Sequence, residues 1–311
     1  MPGVDDEALE VMRNHFTDAR GKPIRTPYYT SQLHLLYEHK FFPWVVTRAL
    51  KKLEKEGFLT TITLDDLGLQ LRNVKKLEFH ANAEAYRQQP QLILRRARRV
   101  ARLVDEYSDP ENAKRLGVHL ETLVRQELRA QGFNIVGTHT AEYRGRRWTA
   151  TNHTLDIVAE HTSGALPLGV EVKNALDIME PAEIDVKIEM CAHLGPIPVF
   201  AVRWIKPYIE CVNRQGGFCW VFKTQIYPPG KYEEVLTKKL YRTLSAGWVS
   251  AGGKKKRRLE FPVTTRGDLP PKSVEKFAQW VGRATRNPPK VKPAKLCSKG
   301  GAQLYNPERS Y

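Results

Sequence analysis

Three short segments of this chain carry residue types that hold divalent metal ions in proteins: Glu121, Asp156 and the run Glu171-Val172-Lys173. Asp156 stands among apolar neighbours, where an unpaired carboxylate is costly. Two adjacent carboxylates repel each other, and this raises a pKa unless a cation lies between them. Hard oxygen ligands favour Mg²⁺ or Mn²⁺ over zinc. These residue types therefore predict a divalent-metal site with a lysine beside it.

The pattern acid-x-Lys occurs three times, so its context has to separate the occurrences. The run 38–40 ends a predicted helix, and the run 185–187 falls within a helical pattern. Only Glu171 and Lys173 lie in an alternating strand, which projects both side chains to one face. Asp156 precedes Glu171 by 171 − 156 = 15 residues across a loop rich in turn formers. A hairpin would therefore set the two carboxylates side by side.

A predicted helix upstream supplies a third acidic residue. Its apolar residues at helical spacing are Leu116, Leu120, Leu123, Val124 and Leu128. Glu121 lies at the edge of this apolar arc, where its side chain could reach over a sheet. Glu127 lies nearer the middle of the arc and remains an alternative to Glu121.

The elements that must position these residues alternate between helix and strand over residues 116–228. A helix is followed by three strands, a second helix and a further strand. This order predicts an α/β fold, in which helices pack on a central sheet. The stretch 108–117, SDPENAKRLG, predicts a turn that separates this core from the preceding residues.

Residues 1–80 predict a mainly helical unit that ends in a hairpin. Thr30 and Ser31 are candidate N-caps of one helix. The next helix has Pro43 in its first turn and ends at Gly57. The alternating run FLTTITL then predicts a strand that pairs with LQLRNVKKLEF.

Basic residues outnumber acidic ones by 50 to 34, which gives a formal net charge of +16. Such a charge favours a partner with a phosphate backbone. No apolar run approaches the length of about 20 residues that a membrane-spanning helix needs, so no membrane partner is expected. The start of the chain lacks the pattern of a signal peptide, which leads us to expect a cytoplasmic, nucleoid-associated protein.

The acidic residues and the lysine together resemble the signature of the PD-(D/E)XK nuclease superfamily. The string from Gly117 to Phe133 is similar to the first core helix of Holliday-junction resolvases and Mrr-type restriction nucleases, although Leu155 replaces the proline of the motif. The resemblance implies a restriction-endonuclease-like core, in which a mixed central sheet is flanked by helices. It implies that Asp156, Glu171 and the backbone carbonyl of Val172 bind Mg²⁺ or Mn²⁺. Lys173 would then act on the attacking water, and Glu121 would hold a metal-bound water or a second ion.

The segment PWVVTRALKKLEKEGFL resembles the recognition helix and first wing strand of a winged helix-turn-helix domain. A winged helix followed by a nuclease domain is similar to the Mrr-like arrangement. In a winged helix-turn-helix domain the second helix of the motif enters the major groove of DNA. The residues expected to contact DNA are basic, and they lie on this helix, on a following basic helix and in a basic-aromatic cluster: Arg48, Lys51, Lys52, Lys55, Arg95, Arg99, Arg146 and Arg147.

These resemblances therefore predict a metal-dependent DNA endonuclease of a restriction or host-defence type, with double-stranded DNA as the expected partner. The expected domains are a winged helix at 1–83, a basic linker helix at 84–114, a nuclease domain at 115–250 and a basic extension at 251–311. Two alternatives stay open, namely a structure-selective recombination or repair nuclease and a winged-helix transcription regulator with a non-catalytic C-terminal domain. Relatives of this kind often act as homodimers, so a homodimer is expected by analogy.

Overall fold

The computed structural model describes residues 4–251 and 255–291, which belong to two compact units. One unit is formed by Met1–Asn112 and Gly230–Val263, and the other by Ala113–Pro229 and Thr264–Tyr311. This division differs from the expected breaks after residues 83, 114 and 250. Within the described ranges, the search for a helix both long and apolar enough to cross a bilayer finds none.

The helices and strands are as follows. The helices are α1 (Val4–His15), α2 (Thr30–Tyr37), α3 (Pro43–Lys55), α4 (Leu64–Leu67), α5 (Ala83–Gln88), α6 (Pro90–Tyr107), α7 (Pro110–Ala130), α8 (Pro181–Leu194), α9 (Ile209–Arg214), α10 (Lys231–Leu244) and α11 (Pro271–Ala284). The strands are β1 (Tyr28–Tyr29), β2 (Leu59–Ile62), β3 (Phe79–Asn82), β4 (Phe133–Thr140), β5 (Glu142–Tyr143), β6 (Arg146–Arg147), β7 (Leu155–His161), β8 (Pro167–Lys173), β9 (Ile197–Val202), β10 (Phe218–Val221), β11 (Gln225–Ile226), β12 (Ala246–Ala251), β13 (Lys255–Leu259) and β14 (Val263–Thr264).

The first unit packs α1, α2 and α3 around one apolar core, beside a small antiparallel sheet in the order β1-β3-β2. Helix α3 begins at Pro43, where the missing N–H has no helical partner to lose. It is followed by Gly57, whose φ of 70° is the left-handed conformation that ends many helices. Both signals were read correctly from the sequence. The prediction for the N-cap of α2 was wrong, because Tyr29 occupies that position instead of Thr30 or Ser31.

The predicted partner of β2 was placed too early in the chain. Strand β3 starts at Phe79, and most of the segment predicted as a strand, residues 69–79, is irregular. Its backbone groups are bound elsewhere, because the carboxylate of Asp105 accepts the N–H groups of Asn73 (2.6 Å) and Val74 (3.1 Å). A loop held from α6 in this way has no backbone donors left for a sheet ladder at those positions.

The second unit is built on a mixed sheet in the order β10-β9-β8-β7-β4. Strands β4, β7 and β8 are antiparallel neighbours, whereas β8, β9 and β10 run parallel. Apolar residues of α7 and α11 cover one face of the sheet, and apolar residues of α8 cover the other. The α/β class and the mixed sheet between helices are therefore as predicted.

Two parts of the chain that were expected to be irregular are helical. The stretch 108–117 begins α7 at Pro110, because the carboxylate of Asp109 accepts the N–H of Glu111 (2.9 Å) and so caps the helix. Within the expected basic extension at 251–311, α11 forms and buries Phe277 completely. Residues 292–311 of that extension lie outside the described residues.

Candidate functional site

Strands β7 and β8 place Asp156 beside Glu171. Their antiparallel register pairs Ile157 with Val170, so Asp156 and Glu171 are the next positions along the two strands. The side chain of Asp156 also binds the backbone of β8, because its Oδ2 accepts a hydrogen bond from the N–H of Val172 at 2.7 Å. The expected hairpin thus brings the two carboxylates together. The Val172 contact seen at this site uses the N–H group, whereas the sequence resemblance implied its carbonyl.

Glu171 is buried and Asp156 is partly buried, and this burial disfavours their charged forms. The pKa of Glu171 is raised to about 7, first by burial and then by the neighbouring Asp156 carboxylate, while Lys187 opposes the shift. The pKa of Asp156 is also raised by burial, against the effect of the Val172 N–H. Two neighbouring acids that repel each other and are shielded from water in this way form a site where a bound cation lowers the free energy.

The cation nearest to Glu171 is a lysine that the sequence analysis set aside. Lys187 lies on α8, forms an ion pair with Glu171 and donates a hydrogen bond to the carbonyl of Thr154 (2.5 Å). The run 185–187 is helical, as expected, but this helix packs over β8. The available signal was composition, because a lysine within a helix as apolar as α8 requires a partner.

Lys173 lies on the same face of β8 as Glu171 but has a different partner. Its Nζ is 2.8 Å from Glu183 Oε2, and both side chains are about a third exposed, at 32% and 28%. Glu183 and Lys187 are one helical turn apart on α8. The predicted common face of Glu171 and Lys173 is therefore confirmed, because both strand residues contact the same helix.

Asp156 also belongs to a second cluster with Glu121 and His139. His139 Nε2 lies 3.4 Å from Glu121 Oε2, and its Nδ1 lies 3.7 Å from Asp156 Oδ1. One potential ligand atom from each of the three residues lies within 4.8 Å of the other two. His139 has a φ of 46°, a conformation that side-chain-bearing residues rarely adopt and that often occurs at functional sites. The sequence analysis assigned His139 no role, and no motif marked it.

The structure separates Glu121 from its alternative, Glu127. Glu121 reaches the cluster from α7 and also pairs with Arg125, one turn further along the helix. Glu127 instead accepts a hydrogen bond from Gln131 at 2.8 Å and takes no part in the cluster. Of the two, Glu121 is the residue that lies with Asp156, as expected.

The candidate nucleic-acid contacts of the first unit are on α3. Lys51, Lys52 and Lys55 are exposed. Arg48 is also exposed, but its guanidinium lies 2.6 Å from the carboxylate of Asp5. Within the described part of the chain, three of the four expected α3 residues thus have no carboxylate partner. Arg48 would have to give up its ion pair with Asp5 to bind a phosphate.

The other expected basic contacts are also at the surface. Arg95 and Arg99 are exposed on α6. Arg146 and Arg147 form β6, where Arg147 pairs with Glu142 at 3.2 Å and Arg146 donates to the carbonyl of His193 at 3.3 Å. The β5–β6 pair is therefore tied to acidic and carbonyl groups and is less free to bind phosphate than α3.

Comparison of the chain with models of protein families, with curated proteins and with solved structures gave no match. The function is therefore inferred from the site itself. Its chemistry is that of buried and partly buried carboxylates, one imidazole and two lysines gathered at one end of β7 and β8.

Proposed function

We propose that this chain is a divalent-metal-dependent endonuclease that hydrolyses DNA phosphodiester bonds. The observation that carries the proposal is the pair of adjacent carboxylates Asp156, which is partly buried, and Glu171, which is buried, with Glu121 and His139 beside Asp156. The order of elements supports it, because a helix, three antiparallel strands, a helix and a parallel strand are the elements expected of a restriction-endonuclease-like core.

The donor set fits Mg²⁺ or Mn²⁺. Asp156 and Glu171 would hold the ion, and Glu121 would assist through a water molecule or a second ion. His139 adds an imidazole nitrogen, which is a softer ligand than a carboxylate and therefore favours Mn²⁺ over Mg²⁺. Such an ion, when bound, polarises the phosphodiester and lowers the pKa of water.

The protein's own groups divide the remaining work. The Val172 N–H holds Asp156 Oδ2, which leaves Oδ1 on the side of His139. Lys187 is buried and stabilises the charged form of Glu171. Lys173 is partly exposed, so its ammonium group can leave Glu183 for a phosphate oxygen and stabilise the negative charge that develops there.

Plasmid cleavage tests the enzymatic proposal. Supercoiled DNA is incubated with the full chain and Mg²⁺ or Mn²⁺, and then with EDTA. We expect nicking that requires the ion, that is lost in Asp156→Asn and that survives in Glu160→Gln, a control on the same strand. Lys173→Ala should lower the cleavage rate by a factor of about 100 or more and leave binding nearly unchanged. Equal cutting by Asp156→Asn and the unsubstituted chain would refute the proposal.

DNA recognition is proposed for the first unit, as in a winged helix, with α3 contacting the duplex. The exposure of Lys51, Lys52 and Lys55 on one helix supports this. In the triple Ala variant, the slope of log affinity against log salt should fall by about one for each lost phosphate contact. Arg87→Ala, on the exposed side of α5, is the control. An unchanged slope in the triple variant would exclude α3 as the contact surface.

A non-catalytic regulator remains the second candidate, and one contact favours it. Glu171 already has a cation partner in Lys187, as a site that binds no metal would require. A folded chain that binds duplex DNA but does not nick linear, branched or single-stranded substrates with either ion would support this candidate over the nuclease.

A further inference from the structure

A cleft in the first unit lies between α6 and α10 and has a volume of about 400 Å³. It is some distance along the chain from the carboxylate site and uses none of its residues. The charged residues that line it, here called the arginine cleft, are Arg95, Arg98, Arg99, Arg102, Glu106 and Lys239. The first four follow one another at helical spacing, so they share one side of α6.

The arginine cleft holds an excess of positive charge. Arg95, Arg99 and Arg102 make no ion pair with any carboxylate in the described part of the chain. Arg98 donates its Nε–H to the carbonyl of Leu67 at 2.8 Å, which orients the side chain without neutralising it. Glu106 is the acidic residue among those lining the cleft, and both its oxygens lie 3.5 Å from Lys239. Four guanidinium groups are therefore left without a counter-charge.

Such an arrangement is unfavourable unless an anion is bound. Like charges three or four residues apart on a helix repel each other. A concave surface of one charge concentrates the field and attracts counter-ions. Guanidinium groups present pairs of N–H donors whose geometry matches phosphate oxygens. The uncharged lining consists of Leu103 and Thr243, so no aromatic side chain of the lining stacks on a base.

We propose that the arginine cleft binds two or more phosphate groups that lie close together, and that it recognises the phosphates and not a base. The source of those phosphates is either a small molecule, such as inorganic polyphosphate or the triphosphate of a nucleotide, or the backbone of a nucleic acid strand. The proposal concerns binding alone and is independent of the nuclease activity.

Titration calorimetry of the full chain with inorganic tripolyphosphate tests the proposal. The double variant Arg95→Gln/Arg99→Gln should bind about tenfold or more weakly, because each guanidinium–phosphate contact is charge-assisted. Arg87→Gln, which removes an exposed arginine outside the cleft, should bind like the unsubstituted chain. A thermal melt of each variant shows whether it is folded. Equal affinity in all three proteins, or no heat with the unsubstituted chain, would overturn the proposal.

A second set of titrations identifies the source of the phosphates. If the cleft takes a small molecule, the double variant loses affinity for tripolyphosphate and for a nucleoside triphosphate but keeps its affinity for a short duplex. If it takes a strand backbone, the duplex affinity falls by a similar factor and the duplex displaces tripolyphosphate. The triple Ala variant of Lys51, Lys52 and Lys55 should retain tripolyphosphate binding in either case. A parallel loss in that variant would show attraction by net charge alone and would also overturn the proposal.

Discussion

At the scale of single residues, two ion pairs of opposite polarity join strand β8 to helix α8. The strand supplies the acid in the pair Glu171–Lys187 and the base in the pair Lys173–Glu183. The two helix residues are one turn apart, so a shift of α8 by one turn would bring like charges together. Charge therefore specifies the register of α8 against the sheet, which is a role for which buried ion pairs are suited.

Replacing one partner of the buried Glu171–Lys187 pair should lower the stability of the folded protein. Lys187→Met leaves Glu171 without its cation in a site where both side chains are at most 10% exposed. We expect a loss of about 3 kcal/mol in the free energy of unfolding, because Glu171 must then stay in the folded protein either as an unpaired buried charge or as a protonated acid that has lost its ion pair. Urea denaturation in the absence of metal measures it. The double variant Lys187→Met/Glu171→Gln should recover most of the loss. A single variant as stable as the unsubstituted chain would contradict the assignment of this pair.

His15 gives the first unit a predictable sensitivity to acid. It is fully buried, its Nδ1 lies 2.8 Å from the Tyr37 hydroxyl, and burial lowers its pKa from 6.5 to about 3. Above pH 6.5 the ring is neutral in the folded and unfolded states, so it has no effect on stability. As the pH falls from 6.5 towards 3, only the unfolded state takes up the proton. By pH 5 the loss is about 2 kcal/mol from this residue.

Hydrogen exchange of the amides in α1 and α3 at pH 8 and pH 5 measures this loss, because it reports the opening of the first unit. In His15→Phe the difference in opening free energy between the two pH values should shrink. It should not vanish, because burial also lowers the pKa of His34, to about 4, and that of His80. The readout is the pH dependence, so a change in packing does not obscure it. An undiminished difference would exclude His15 as the source.

At the scale of elements, α11 is a helix that was not predicted from the sequence, because its surroundings are basic and rich in proline. Phe277 is fully buried and stacks on Trp220 with ring centroids 4.1 Å apart and an interplanar angle of 9°. Trp280 stacks on Phe218 at 4.7 Å. The spacing of Val274, Phe277 and Val281 is that of an amphipathic helix, so the signal was present in the sequence. The surrounding lysines and prolines outweighed it in the prediction of a basic extension at 251–311.

A substitution in α11 tests whether this helix is part of the core of the second unit. Phe277→Ala removes a ring enclosed by Trp220 and Trp280, and we expect it to cost about 3–5 kcal/mol. The neighbouring Lys276→Ala, on the exposed side of the same helix, should change stability by no more than about 0.5 kcal/mol. Chemical denaturation followed by tryptophan fluorescence compares the two. Similar, small effects would show that α11 contributes little to the unit.

At the scale of the whole molecule, the sequence predicted what depends on local patterns. The alternation of the strands and the position of Asp156 relative to Glu171 were readable, because hairpin partners are close in the chain. Lys187 and His139 were not identified as neighbours of these residues. Their places depend on how α8 and β4 meet the central strands, which the spacing of residues along the chain does not specify. Residues 230–263 belong to the first unit although they are far from it in the chain, and local patterns in the sequence do not specify such an association either.

That return means that no single cut separates the two units. A fragment of residues 1–112 lacks Leu244, whose carbonyl accepts a hydrogen bond from the buried Gln32 at 2.7 Å, and it also lacks Ala246 and Leu259 from the shared core. Asn112 Nδ2 lies 3.4 Å from the hydroxyl of Tyr232, so a short Gly-Ser linker can join residue 112 to residue 230. We expect the joined chain, 1–112 linked to 230–263, to melt cooperatively and at a higher temperature than fragment 1–112. Circular dichroism melts compare them, and equal melting temperatures would show that the first unit is complete without its second segment.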